Sequence, residues 1–401
     1  MIRLIRIGLF LIFFSFSSFI HAKEELVACG GSFKSFLEKF SALALERGIS
    51  PKTIKKSVSN SRYLPEIIEL DSNQSAFKLG FIDFSKKVIN DFRILEGKKN
   101  ILKYRDIFSE IEVVYGIPAE VLTAFWAMES DFGSFQGKYH TLSALATLAH
   151  NCRRTEFFQA EYLASMWLVE DGTINAKSST GAWAGEIGQI QMLPSDILKY
   201  GVDANSNGII SLKQEESDAL MTAAALIADN GWIRGEPWLE EVILPYNFPW
   251  EATGFTRERS IQSWIEMGVK SLNNKTFLTN NNNLGILLLP QGRKGPKFLA
   301  YTNFKIFLGW NDSFIYSVSA AHLANRLRGL PDFRIGTSDA ILSQKKMKKL
   351  QSFLKSIGYD VGSVDGILGA RTRQAVRQIQ LLLGFPADSW PTEKLLLTLG
   401  I

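Results

Sequence analysis

The stretch Pro118–Gly133, PAEVLTAFWAMESDFG, decides the reading of this chain. It has the start, the face and the stop of a helix. Proline suits the first helical position, where its missing N–H would have no partner anyway. Leu122, Phe125, Met128 and Glu129 recur at steps of three and four residues, so they share one face. Gly133 supplies a stop just past the last turn. Glu129 is the anomaly. It extends an apolar stripe, and it sits near the helix C-terminus, where the macrodipole disfavours negative charge. Both effects push its carboxyl towards the protonated form. A carboxylic acid kept protonated near neutral pH is what glycosidic bond cleavage asks of a general acid. The plain alternative is a solvent-facing Glu on the last turn of an amphipathic helix.

The 401 residues are enough for two domains, and an apolar fraction of 46% is ample for a core. The N-terminus reads as a secretory signal: Arg3 and Arg6 precede the apolar run Ile7–Ile20, and the small residue Ala22 follows. The expected signal peptide is 1–22, and the expected location is the periplasm. The run is shorter than the roughly 20 residues of a membrane span. Leu26-Val-Ala-Cys29 resembles a lipoprotein box, but Lys23, Glu24 and Glu25 separate it from the apolar run, so anchoring at Cys29 is the lesser expectation. Cys29 and Cys152 are the two cysteines; in an exported chain they favour a disulfide, with two buried thiols as the alternative. The net charge is +5, and 344–401 alone holds nine Lys/Arg against four Asp/Glu. Export makes nucleic acid a poor partner for this basic tail, and an anionic wall polymer a better one.

Helical spacing recurs along the chain: Phe33–Arg47, Pro51–Val58, Phe77–Asn90, Leu102–Tyr115, Thr141–Ala149, Glu156–Leu168 and Asp218–Asn230. The class is therefore mainly α. The region 243–300 mixes short apolar runs with turns, and strands are expected near Ile286–Leu289 and Phe298–Tyr301. A helix is expected from Trp310 to Arg328, a linker over 331–343, and three more helices in the tail. Gly181–Pro194, GAWAGEIGQIQMLP, carries glycines at 181, 185 and 188 and the amides Gln189 and Gln191. Asp203, Asn205 and Asn207 followed by Gly208 have the spacing that opens a calcium loop, with the Ile209 carbonyl next in line. Its twelfth position is Gln214 rather than Glu. An Asn/Gly-rich turn without metal is the alternative.

AFWAMESDFG resembles the catalytic motif of the MltB-type lytic murein transglycosylases, nearly complete over residues 124–133. GAWAGEIGQIQMLP resembles the second motif of that family, with Ala182 in place of its usual Ser and Glu186 in place of its usual Ala. That Ser is thought to hydrogen-bond the catalytic Glu, so another group must orient Glu129. Gly231-Trp232 and Gly235–Trp238 resemble further family elements, and Trp310-Asn311-Asp-Ser313-Phe-Ile-Tyr316 resembles a third motif with Trp in place of Tyr. Leu350–Gln380, with Asp365–Gly369 and Arg371-Thr372 at its centre, closely resembles the small peptidoglycan-binding domains.

The resemblance implies a lysozyme-like catalytic domain over 23–330 with a small β-rich subdomain, and a three-helix peptidoglycan-binding domain over 344–401. It implies Glu129 as the one general acid/base, cleaving peptidoglycan with closure of a 1,6-anhydro ring. Gln191, Asn311, Tyr316, Trp310 and Gln189 are the expected substrate contacts, with Tyr316 near Glu129. No cofactor is expected for the chemistry. A structural calcium would take Asp203, Asn205, Asn207, the Ile209 carbonyl and Asp218, the later acid that family members with this loop use. Glycan strands are the expected partner, alongside cell-wall synthesis or division proteins. Two rivals stand beside this reading: a hydrolytic muramidase on the same scaffold, and a wall-binding protein without catalysis.

Overall fold

Capping chemistry in the sequence sets where the helices begin. Ser32, Ser50, Ser313, Ser343 and Thr392 each accept the third backbone N–H of the helix that follows. The computed structural model describes residues 26–72, 79–272 and 276–401. The expected signal peptide lies outside them. The described chain is mainly helical, with one five-stranded antiparallel sheet and one two-stranded ribbon. None of its helices alone is long and apolar enough to cross a membrane.

The Glu129 helix runs Ala119–Ser130, with Pro118 one residue before it in extended backbone. It is not a one-striped surface helix. Val121, Thr123, Ala124, Trp126 and Ala127 are buried, as well as Leu122 and Phe125. A helix apolar on all sides belongs inside a core. Around it pack Phe314–Leu327, Asp91–Lys103, Arg105–Tyr115 and Glu216–Asp229. A second core forms between Phe33–Glu46, Pro51–Asn60, Thr141–His150 and Thr155–Glu170. Here Cys29 and Cys152 are bridged, with Cα atoms 5.3 Å apart.

Three helix boundaries differ from expectation. The segment expected over Phe77–Asn90 is helical over Phe81–Val88, and Phe77 and Lys78 fall outside the described residues. Leu102 and Lys103 end the helix Asp91–Lys103, whose core-facing side is sparse: Ile94 and Ile101 are partly buried, and Gly97 and Asn100 are its buried positions. A Cβ at Gly97 would lie 2.6 Å from Leu327 Cδ2, so close helix packing replaces apolar bulk there. The helix expected from Trp310 is two helices. Phe304–Trp310 ends at Asn311, and Phe314–Leu327 starts afresh from the Ser313 cap.

The sheet pairs Leu284–Leu288 with Phe298–Tyr301 and Phe298–Tyr301 with Leu239–Ile243, all antiparallel. Short strands Arg259-Ser260 and Lys270-Ser271 form its edges. The tail folds as helices Gln344–Ser356, Ala370–Leu382 and Glu393–Leu399 around their own core. The stretch expected to be a linker is not slack. Phe333 and Leu342 are buried, and the Arg334 amide donates to Glu241 Oε1 at 2.9 Å. Nor is the whole basic surplus of the tail displayed outward. Arg373 and Arg377 are buried, donating to the carbonyls of Pro290 (2.7 Å) and Glu251 in the body.

Candidate active site

Three successive residues with positive φ end the Glu129 helix: Asp131 at 47°, Phe132 at 60° and Gly133 at 84°. The first two are strained for L side chains. The chain reverses there and meets the loop 181–194. A Cβ on Gly133 would lie 2.6 Å from Gln189 Oε1, so the contact demands glycine. Ser130 Oγ donates to the Gln189 carbonyl and accepts the Gly133 N–H at 2.8 Å. Trp126 Nε1 donates to Gln189 Oε1 at 3.1 Å. The ribbon Tyr139-His140 with Thr180-Gly181 ties the start of the loop to the same region. The two motifs, about fifty residues apart, are thus one rigid junction.

Glu129 presents its carboxyl from the last turn. Its Oε1 accepts two hydrogen bonds, from Trp310 Nε1 at 2.9 Å and from the Tyr316 hydroxyl. Among the described residues no group bonds its Oε2. The Trp310 ring stacks on Phe125, one helical turn before Glu129, with centroids 4.3 Å apart. The break at Asn311–Ser313 allows Trp310, ending one helix, and Tyr316, opening the next, to converge on one oxygen. These two residues orient Glu129, and the Ala182 side chain contributes no polar group. Burial pushes the Glu129 carboxyl above its ordinary pKa; the Tyr316 and Trp310 hydrogen bonds and the charge of Arg93 pull the other way. Tyr316 itself is raised well above the phenol range, chiefly by burial, so it stays a donor.

Sequence reasoning missed two neighbours. Arg93, from the unrecognised helix Asp91–Lys103, binds Asp131 Oδ1 through Nε at 2.6 Å and donates to the Val88 carbonyl at 3.1 Å. Asp131 is therefore engaged away from Glu129. The other is Glu186, noted in the sequence as a departure but with no role. Its backbone carbonyl accepts the Ala182 N–H at 2.8 Å, which pins its place in the loop. Its Oε2 is buried without a partner. Burial, followed by the nearby charge of Glu129, pushes its carboxyl up to about 7.

The remaining candidates separate. Gln189 is buried, and its side chain is spent on Trp126 and on the Lys213 carbonyl at 3.5 Å. It braces the junction between the two motifs. Gln191 has φ 52° and donates to the Gly188 carbonyl at 2.7 Å, leaving its amide oxygen unengaged. The Asn311 oxygen accepts the Ser313 N–H at 2.9 Å and so shapes the break between helices.

In the loop expected to bind calcium, Asp203, Asn205 and Asn207 turn their oxygens inward onto the amides of Asn207, Gly208 and Ile209. Asp218 is fully buried behind them and accepts the amides of Ala204 and Ser211. The donors fit a hard cation in kind and arrangement. Yet only two carry charge, and no cluster of three or more acidic, His or Cys ligands occurs among the described residues.

Comparison with known proteins bears on the family and the fold. The family model described as "Transglycosylase SLT domain" matches residues 32–325, and a peptidoglycan binding domain model matches 343–396. The crystal structure of SltB3 from Pseudomonas aeruginosa, in complex with NAG-anhNAM-pentapeptide, is 33% identical with a TM-score of 0.85; the match covers 93% of this chain and all of that one. The Escherichia coli membrane-bound lytic murein transglycosylase B is 24% identical over 320 residues, 76% of this chain and 86% of the relative. The E. coli lytic transglycosylase Slt35, solved in complex with calcium, shares the fold at a TM-score of 0.65 and 24% identity, over 76% of this chain and 97% of its own. A junction of two motifs holding one carboxyl against a Trp and a Tyr, in a chain matched from residue 32 to 325, places this protein in the transglycosylase SLT family.

Proposed function

We propose that this chain cleaves the β-1,4 bond between N-acetylmuramic acid and N-acetylglucosamine in peptidoglycan, leaving 1,6-anhydro ends. The observation that carries the reading is the asymmetry at Glu129. One oxygen is locked by Tyr316 and Trp310, and the other has no partner among the described residues. Burial shifts the group towards its protonated form, and the free oxygen can present the proton to the glycosidic oxygen. Glu129 donates its proton as the C1–O4 bond breaks. The substrate's acetamido oxygen shields the positive charge at C1. The resulting carboxylate takes the proton of the C6 hydroxyl, O6 bonds to C1, and the anhydro ring closes without water. Glu129 ends protonated and ready for the next cycle.

Gln191 and Asn311 belong to the surroundings of this group, and the tail domain holds the enzyme on its polymer. A signal over 1–22 with action in the periplasm suits that substrate, and the Asp203 loop takes calcium as a structural ion. Hydrolysis is the second reading, and Glu186 favours it. Common hydrolytic routes need a second carboxyl, and Glu186 lies within electrostatic reach of Glu129. Mass analysis of the products from purified peptidoglycan decides. Anhydro ends, lost entirely in Glu129→Gln, support the proposal; reducing ends establish hydrolysis. A Glu129→Gln enzyme with half of the normal activity would remove Glu129 from the chemistry.

A further inference from the structure

Where the tail domain meets the body, a cavity of about 180 Å³ opens along the seam. Arg257 comes from the body, and Arg371 and Arg377 from the helix Ala370–Leu382. Thr256, Gln374, Gln378 and Ser389 complete its polar lining, and no carboxylate lines it. The first turn of that 13-residue helix faces the cavity through Ala370 and Arg371, and its cap, Gly369, supplies no side chain to its free N–H groups. Such a terminus favours an anion.

A second observation comes from Arg377. It is only 8% exposed. It gives one Nη2 to the Glu251 carbonyl, while its buried Nε has no partner. Burial, then the nearby charge of Arg257, lowers its pKa, and the charge of Glu251 opposes them. Arg371 has a loose ion pair with Asp360 at 3.7 Å, on the exposed side. Confining like charges costs free energy, and a bound carboxylate would recover it through charge-assisted hydrogen bonds.

We propose that this seam is a binding site for a carboxylate of the substrate's peptide stem. The inference rests on peptidoglycan being the substrate. The site has guanidiniums, which match a carboxylate in paired geometry, and amides able to bond a peptide backbone. It draws on both domains, so a stem bound there would engage the body and the tail at once.

The test uses the full mature protein and isothermal titration with a stem pentapeptide lacking sugar, which leaves the glycan cleft out of the readout. The free acid should bind, its methyl ester at least tenfold more weakly, and a double variant Arg257→Gln/Arg371→Gln at least tenfold more weakly than the parent. Both residues are exposed, so the variant should keep its melting temperature and its cleavage of peptide-free glycan. Equal affinity for acid and ester, or an unaffected variant, overturns the proposal. Competition by inorganic phosphate as tightly as by the peptide also overturns it, because the seam would then be a general anion site. If the parent fails to cleave peptide-free glycan as well, the catalytic reading falls, while the peptide titration still judges the seam.

Discussion

Replacing Tyr316 by Phe removes one oxygen and leaves the ring in place. The Tyr316 hydroxyl donates to Glu129 Oε1, and it favours the ionised carboxylate. A hydrogen bond to a charged group is worth about 1.5–3 kcal/mol. At about 1.4 kcal/mol per pKa unit, its loss raises the Glu129 pKa by about 1–2 units. The lower end applies, because Trp310 still donates to the same oxygen at 2.9 Å. A general acid works only while protonated. The basic limb of the pH–rate profile should therefore move up by about one unit in Tyr316→Phe. The maximal rate should fall, since Glu129 loses half of its orientation, but by less than in Glu129→Gln. Initial rates of fragment release from purified peptidoglycan, at low substrate and across pH 4–9, measure both effects. Tyr316 stays neutral over that range, so its own ionisation does not confuse the limb. A limb that stays in place or moves to lower pH would refute the assignment of Tyr316 as a donor to the acid.

Glu186→Gln should leave the basic limb in place, because the charge of Glu129 together with burial keeps Glu186 protonated while Glu129 titrates; a limb displaced by a full unit contradicts that order. Because the folded-state pKa of Glu186 is raised to about 7, the parent loses stability as pH rises from the ordinary carboxyl range towards 7. The variant should lose less over the same window, as melting curves at pH 4.5 and 7.5 would show. The Cys29–Cys152 bridge closes a span of 123 residues. Its removal in a Cys29→Ser/Cys152→Ser variant should cost at most about 5 kcal/mol by loop entropy, and a melting temperature unchanged from the oxidised parent rejects that contribution. Calcium at the Asp203 loop should bind weakly, around 10⁻⁴–10⁻³ M given two carboxylates, and raise the melting temperature by mass action without changing the catalytic rate. Identical melting in millimolar calcium and in EDTA, with Asp203→Ala as stable as the parent, removes the ion.

Most helices were legible because their ends carry chemistry that acts locally. Ser50 before Pro51 is an example; its hydroxyl accepts the Thr53 N–H. The Asp91–Lys103 helix was not legible, since Gly97 and Asn100 interrupt the apolar face between Ile94 and Ile101. The break at Asn311–Ser313 was available in principle. Ser313 is a capping residue, but the helix was begun at Trp310, where the motif that resembles the family opens. At the site, Glu129 stood out because a carboxyl extends an apolar face. Its partners did not, because Trp310 and Tyr316 lie more than 180 residues downstream and only tertiary packing joins them. Resemblance pointed to the Tyr316 position; no local pattern did. The bracing role of Gln189 was hidden for a related reason. An amide has the same appearance in sequence whether it faces a ligand or a buried tryptophan.

The bridge between Cys29 and Cys152 constrains how the chain can be oxidised. A chain with two cysteines has one intramolecular pairing available, so no isomer has to be shuffled into another. Its maturation needs an oxidant but no disulfide isomerase. The first thiol must also wait, because its partner follows 123 residues later. Until then Cys29 is an exposed nucleophile, open to mixed disulfides with any passing thiol. The contacts beside it shorten that exposure once Thr155–Glu170 has formed: Gln159 holds both the N–H and the carbonyl of Val27, at 3.0 and 2.7 Å. Docking of the N-terminal segment brings the thiols together, and oxidation then records that the helices of the second core have assembled in order.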